Sequence, residues 1–215
     1  MRKRKITTML FLVNLFLLTL YVSGWSSGGF RAVRSQDDGK AVLKHFAPKN
    51  EPVEVTELKI KDRAIGLGET FKGDTEWLKD LAFKVKNKSN KPITFLQIDL
   101  DFPETKATGS IMMHQLFIGQ SPGITRTRTN SPLHLKPNES ISISLAPEYI
   151  GIKKLIELRQ PSVENINKVV IRLGEVMFED ETRYSGGSIF KRNSDSSSPR
   201  KWVLVPDTEA TSHQH

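Results

Sequence analysis

The sequence predicts a mainly β protein, a sandwich of short strands with one late helix, behind an N-terminal signal or anchor segment. Three observations predict it. Apolar and polar residues alternate in several short runs. Clusters of Asn, Ser, Gly and Pro separate those runs. A single stretch carries helical spacing, whereas a βαβ fold needs a helix between successive strands.

The chain opens on Arg2, Lys3, Arg4 and Lys5, and residues 6–24 follow without a charge. The strongly apolar part, residues 9–22, has the ~7–15 residue length of a secretory signal and falls short of the ~20 residues of a comfortable membrane span. Small residues around Gly24 suit signal cleavage, so residues 1–24 read as a signal peptide. The alternative counts residues 6–24 as an uncleaved anchor with its basic flank inside. Both readings place the remainder outside the cytoplasm, periplasmic or secreted in the first case and inner-membrane anchored in the second. Residues 25–51 are polar with scattered apolar positions and read as a flexible tether.

The sandwich is expected over residues 52–192. Val53, Val55, Leu58 and Ile60 mark a first strand whose phase change signals a bulge. Leu81, Phe83 and Val85 alternate with polar residues in a second. A turn ending at Pro92 leads to a strand over 93–102, with Leu96, Ile98, Leu100 and Phe102 on one face and Gln97, Asp99 and Asp101 on the other. Its phase switch between Phe95 and Leu96 predicts a bulge. Residues 111–118 form a further strand. A long polar loop, 119–132, and a turn at 136–139 precede the alternating Ile141, Ile143 and Leu145. Residues 147–160 carry the helical pattern, with Pro147 suited to the first helical position and Tyr149, Ile152, Leu155 and Ile156 on one side. Strand pattern returns over 168–178, with Gly174 as a bulge residue, then an acidic turn at 179–181 and short strands near 182–184 and 189–190. Residues 193–215 form a polar C-terminal tail in which Trp202 to Val205 can dock as a short strand.

Composition excludes several chemistries. Cysteine is absent from all 215 residues, which removes disulfides, thiolate metal sites and cysteine nucleophiles. The net charge of +8 is not a nucleic-acid signal, because residues 1–50 hold nine bases against two acids and the other 165 residues hold 23 bases against 22 acids. The basicity belongs to the targeting segment.

Two phrases carry a resemblance. The run from Val85 through Asn87, Ser89, Lys91 and Pro92 to Ile93, and the run Leu135-Lys-Pro-Asn-Glu-Ser-Ile141, are similar to those of secreted bacterial immunoglobulin-like or fibronectin-like sandwich modules. Residues 182–190 resemble an ending found in uncharacterised exported bacterial proteins. The resemblance implies an immunoglobulin-like β-sandwich in an envelope setting. It brings no catalytic residues with it.

The residues point to no catalytic constellation, no cofactor and no metal motif. His45, His114, His134, His213 and His215 show no zinc-ligand spacing. No nucleophile elbow surrounds Ser188. Asp99 and Asp101, one strand period apart, are calcium candidates together with Glu104, and the same acids, or those at 179–181, are the candidates of a hydrolase reading. Against both stands a solvated acidic face. Asn87-Lys-Ser89 and Asn138-Glu-Ser140 match glycosylation sequons. Arg126 and Arg128, interleaved with threonines in the 119–132 loop, are binding candidates for an acidic partner or glycan. Trp77 is a candidate for stacking on a sugar, against the commoner role of capping a core.

The function read from the sequence is an exported, non-enzymatic binding or structural module of the cell envelope, with an envelope protein or glycan as partner, no nucleic acid, and membrane contact only through residues 6–24 if uncleaved. One alternative is a membrane-anchored accessory subunit of an envelope complex. The other is a carbohydrate-active or other hydrolase.

Overall fold

In the computed structural model the described residues are 39–46, 48, 50–120, 132–158, 162–195, 197–198 and 201–206. The expected signal or anchor segment, most of the expected tether, and the loop carrying Arg126 and Arg128 lie outside them. Among the described residues no helix is long and apolar enough to cross a membrane.

Twelve strands and one α-helix follow in the order β1 Lys40–Lys44, β2 Val53–Ile60, β3 Arg63–Ala64, β4 Thr70–Phe71, β5 Leu81–Asn87, β6 Ile93–Phe102, β7 Met112–Gly119, β8 Ser140–Ser144, the helix Tyr149–Glu157, β9 Lys168–Phe178, β10 Arg183–Ser185, β11 Ser188–Arg192 and β12 Trp202–Leu204. They make two sheets, so the fold is a mainly β sandwich with one described helix. The smaller sheet is four-stranded, in the order β3-β2-β5-β8. In the larger, β6 lies between β7 and β9. The other side of β9 is shared. Its first half pairs in parallel with β1, and its second half pairs antiparallel with β10.

Alternation dictates which residues meet between the sheets. Every second residue of β5 is buried, and Leu81, Phe83 and Val85 join one core cluster with Leu96, Ile98 and Leu100 of β6 and Val169, Ile171 and Val176 of β9. Each fully buried side chain of this kind contributes about 1.5–3 kcal/mol relative to an exposed one.

The expected bulges exist. In β2 the register slips between Thr56 and Lys59, where Glu57 takes a left-handed φ of 46°. In β6 the slip falls between Ile93 and Phe95, one residue earlier than the phase switch suggests. A second slip pairs Gln97 with Glu175 and Ile98 with Leu173, leaving Gly174 as the extra residue. A Cβ on Gly174 would lie 2.6 Å from the side-chain nitrogen of Gln97, so a larger residue in the bulge would have to displace that side chain.

Several elements differ from the sequence reading. Residues 40–44, assigned to the tether, form β1, with Ala41 and Val42 buried against β9. Two buried side chains between lysines carry too little apolar signal to read as a strand. The helix begins at Tyr149 rather than Pro147, because Glu148 N–H donates to Leu145 O and closes a turn that contains the proline. The expected docking of the tail does occur, with Trp202, Val203 and Leu204 forming β12 against β11.

Candidate functional site

The outward face of the larger sheet gathers the most organised polar side chains. Period-two geometry sends Gln97, Asp99 and Asp101 of β6 away from the core that holds Leu96, Ile98 and Leu100. Register then sets their neighbours. Asp99 stands between Gln115 of β7 and Arg172 of β9, and Asp101 between Met113 and Val170.

These rows form one network. Arg172 Nη2 is 3.2 Å from Asp99 Oδ2, and Arg172 Nε is 3.3 Å from Asp101 Oδ2. Gln97 donates to Asp99 Oδ1 at 2.8 Å, and Gln115 donates to the same oxygen at 3.4 Å. Arg172 also donates to Met113 Sδ at 3.0 Å. Asp99 is only 3% exposed, so a charge on the sheet face is almost wholly enclosed by its partners. Burying a carboxylate is tolerated because a guanidinium and two amides replace its water.

A second arginine lies further along the face. Arg183 Nε is 3.2 Å from Glu175 Oε1, an ion pair without hydrogen-bond alignment, and its guanidinium stacks on Trp202 at 5.4 Å. Burial pushes the Glu175 carboxyl above the usual range, and the charge of Arg183 offsets only part of that.

The sequence-predicted residues are distributed as follows. Asp99 and Asp101 come together, but on a shared arginine. Glu104 belongs to the 3-10 turn Pro103–Thr108, where Oε1 accepts from the Asn167 N–H at 3.2 Å and Oε2 is buried without a hydrogen bond. Among the described residues no group of three or more His, Cys, Asp or Glu side chains is placed to hold a metal ion. Trp77 is 1% exposed, donates its indole N–H to Ile166 O at 2.9 Å, and meets Phe71 edge-on at 5.4 Å. It is a core residue with no ring face left for a sugar. Arg126 and Arg128 lie outside the described residues.

The remaining acids stand apart from one another. Asp180 pairs with Lys91 at 2.6 Å, Glu179 lies 3.8 Å from His134, and Glu181 lies 3.9 Å from Arg192. Burial works against the charge of Asp180, yet hydrogen bonds from Lys91 and Thr182 outweigh it and hold the carboxyl below its ordinary value. A cavity of about 380 Å³ opens beside the β2–β3 turn, walled by Lys61, Arg63, Lys72 and Asp74 over Trp77, and none of the predicted acids lines it. His114 is taken up by Glu148, 3.2 Å away at the start of the helix.

Sequence reasoning missed Arg172, Gln115, Met113, Glu175 and Arg183. Their outward direction was legible from alternation, but their partnership depends on the pairing of β6 with β7 and β9. No protein-family model, curated protein or solved structure matches the chain.

Proposed function

We propose that this chain is an exported, non-enzymatic β-sandwich that docks another component of the cell envelope, a protein or a glycan, through the outer face of its larger sheet. The observation that carries this reading is the fixed position of Arg172 between Asp99 and Asp101, beside the exposed Met113 and Gln115. A guanidinium held by two carboxylates keeps its remaining donors aimed before a partner arrives, which lowers the ordering cost of binding. Arginine, methionine and aromatic residues are the types enriched in interfaces. The basic start and the apolar run after it support export. Strand order supports a module of this kind, since β2-β5-β8 facing β7-β6-β9-β10 pairs as the ABE and C′CFG strands of an immunoglobulin sandwich do.

The reading is tested in the full chain at native expression, with a photo-crosslinking residue at Gln115 and a control at Lys86 on the other sheet. Mass spectrometry of the envelope fraction should find one dominant adduct from position 115, lost in Arg172→Ala and absent from position 86. Equal labelling at both positions, or none at 115, would overturn it. Sequencing the N-terminus of the recovered protein separates a cleaved signal from the anchored accessory subunit, which retains residues 6–24.

A further inference from the structure

We infer that Met113 is the site at which peroxide oxidises the folded chain, and that Arg172 captures the resulting sulfoxide oxygen. The consequence, withdrawal of an Arg172 donor from a partner, rests on the docking role proposed for this face.

The chain has no cysteine, whose thiolate would compete for peroxide, so methionine supplies all of its sulfur. Three methionines are described, and packing separates them. Met112 is 9% exposed and Met177 is 6% exposed, whereas Met113 is 39% exposed. Period two accounts for the difference within β7. Met112 turns inward with Leu116, and Met113 turns outward, opposite Asp101 of β6. Peroxide must reach a sulfur lone pair to react, and among the described residues only Met113 offers one at the surface.

That sulfur is also held. Arg172 Nη2 donates to Met113 Sδ at 3.0 Å, while ion pairs with Asp99 and Asp101 keep the guanidinium in place. A thioether is a weak acceptor. In the reduced protein it occupies the donor without binding it firmly, and an oxygen of a partner displaces it at little cost.

Oxidation reverses that balance. The sulfur lone pair attacks one oxygen of a hydroperoxide, so an S–O bond forms and the O–O bond breaks. Sulfur gives up two electrons. The proton of the transferred oxygen passes to the departing hydroxide or alkoxide, which leaves as water or an alcohol. The sulfoxide oxygen is polar and strongly accepting, and the charged donor nearest to it is the one already touching Met113. A hydrogen bond from an ionised donor is roughly twice as strong as a neutral one. The oxygen therefore replaces the sulfur on Nη2 and holds a donor that the sulfide left available. An apolar contact on the sheet face becomes a polar one in the same step.

The test treats the purified full chain with graded hydrogen peroxide, folded and in urea, and reads oxygen gain at each methionine by fragmentation mass spectrometry. In the folded protein Met113 should oxidise about tenfold faster than Met112 and Met177, and in urea the three should react alike. The Arg172 side-chain protons are followed by NMR and assigned by their loss in Arg172→Lys. After oxidation they should shift and exchange with water more slowly. For the consequence, chain carrying the photo-crosslinking residue at Gln115 is oxidised before it meets the envelope fraction. Its dominant adduct should fall about tenfold and return once a methionine sulfoxide reductase has restored the sulfide. Equal oxidation of the three methionines in the folded chain, Arg172 protons unmoved by oxidation, or an adduct equally strong from sulfide and sulfoxide would overturn the inference. A reduced chain that yields no adduct at all refutes the docking role alone, and the first two readouts still decide the oxidation site and its capture by Arg172.

Discussion

Asn87 reaches across 48 residues of chain to Leu135, donating its side-chain amide to that carbonyl at 2.9 Å. The same nitrogen donates to Lys91 O at 2.8 Å, while Oδ1 accepts from the backbone and hydroxyl of Ser89. One fully buried side chain thus ties the turn after β5 to the segment before β8. The sequon reading of Asn87 fails here, since its amide is sealed in the fold and a glycan there is incompatible with it. Asn87→Ala removes one donor from each carbonyl, although Leu135 O keeps the Ile93 N–H and Lys91 O keeps the Ser89 hydroxyl, and should cost about 1–2 kcal/mol. Urea unfolding should show a lower midpoint with an unchanged slope.

Arg172→Ala should destabilise the sandwich by about 1–3 kcal/mol, because it strips an enclosed carboxylate of its cation while Arg172 itself is partly exposed. The double variant Asp99→Asn with Arg172→Ala should recover part of the loss. A double-mutant cycle in urea gives the coupling directly, and additive effects would show that the pair contributes nothing beyond its separate residues.

Glu175 has a folded-state carboxyl raised above its ordinary 4.5 by burial, with Arg183 offsetting only part. The fold therefore holds the proton more tightly than the unfolded chain. The stability this supplies is complete below 4.5 and lost as pH rises through the folded value. Glu175→Gln keeps the neutral shape at every pH. Melting temperatures should consequently favour the variant near neutrality, and its advantage should shrink as pH falls toward 4.5.

Asp180 behaves in the opposite sense. Its carboxyl is depressed below 3.8, so its contribution is present above 3.8 and disappears as pH falls through the folded value. Asp180→Asn should lose less than about 1 kcal/mol at neutral pH, since its side chain is nearly half exposed and the Lys91 pair is screened by solvent. The deficit should narrow in high salt and close at acid pH, which thermal melts across both variables will read.

Much of the fold is legible along the chain because burial on one face leaves a period of two. β5 shows it residue by residue, β6 shows it beyond its first bulge except at the enclosed Asp99, and the Gly174 bulge shows as a break in it. β1, β3 and β4 were not legible. β1 buries two side chains between lysines, and the others are two residues long, so their existence rests on neighbours distant in sequence. Trp77 was legible as an aromatic of uncertain role, and only its 1% exposure resolves it into the core.

The sequence by itself determined which residues of β5, β8 and most of β6 face inward, where the turns around them fall, and that the chain has no thiol chemistry, because these depend on local periodicity and composition. The tertiary structure alone decided that Asp99 meets Arg172, 73 positions along the chain, and that Asn87 meets Leu135. Cross-strand register places such residues side by side, and register is set by the joint packing of two sheets rather than by the pattern of any one strand.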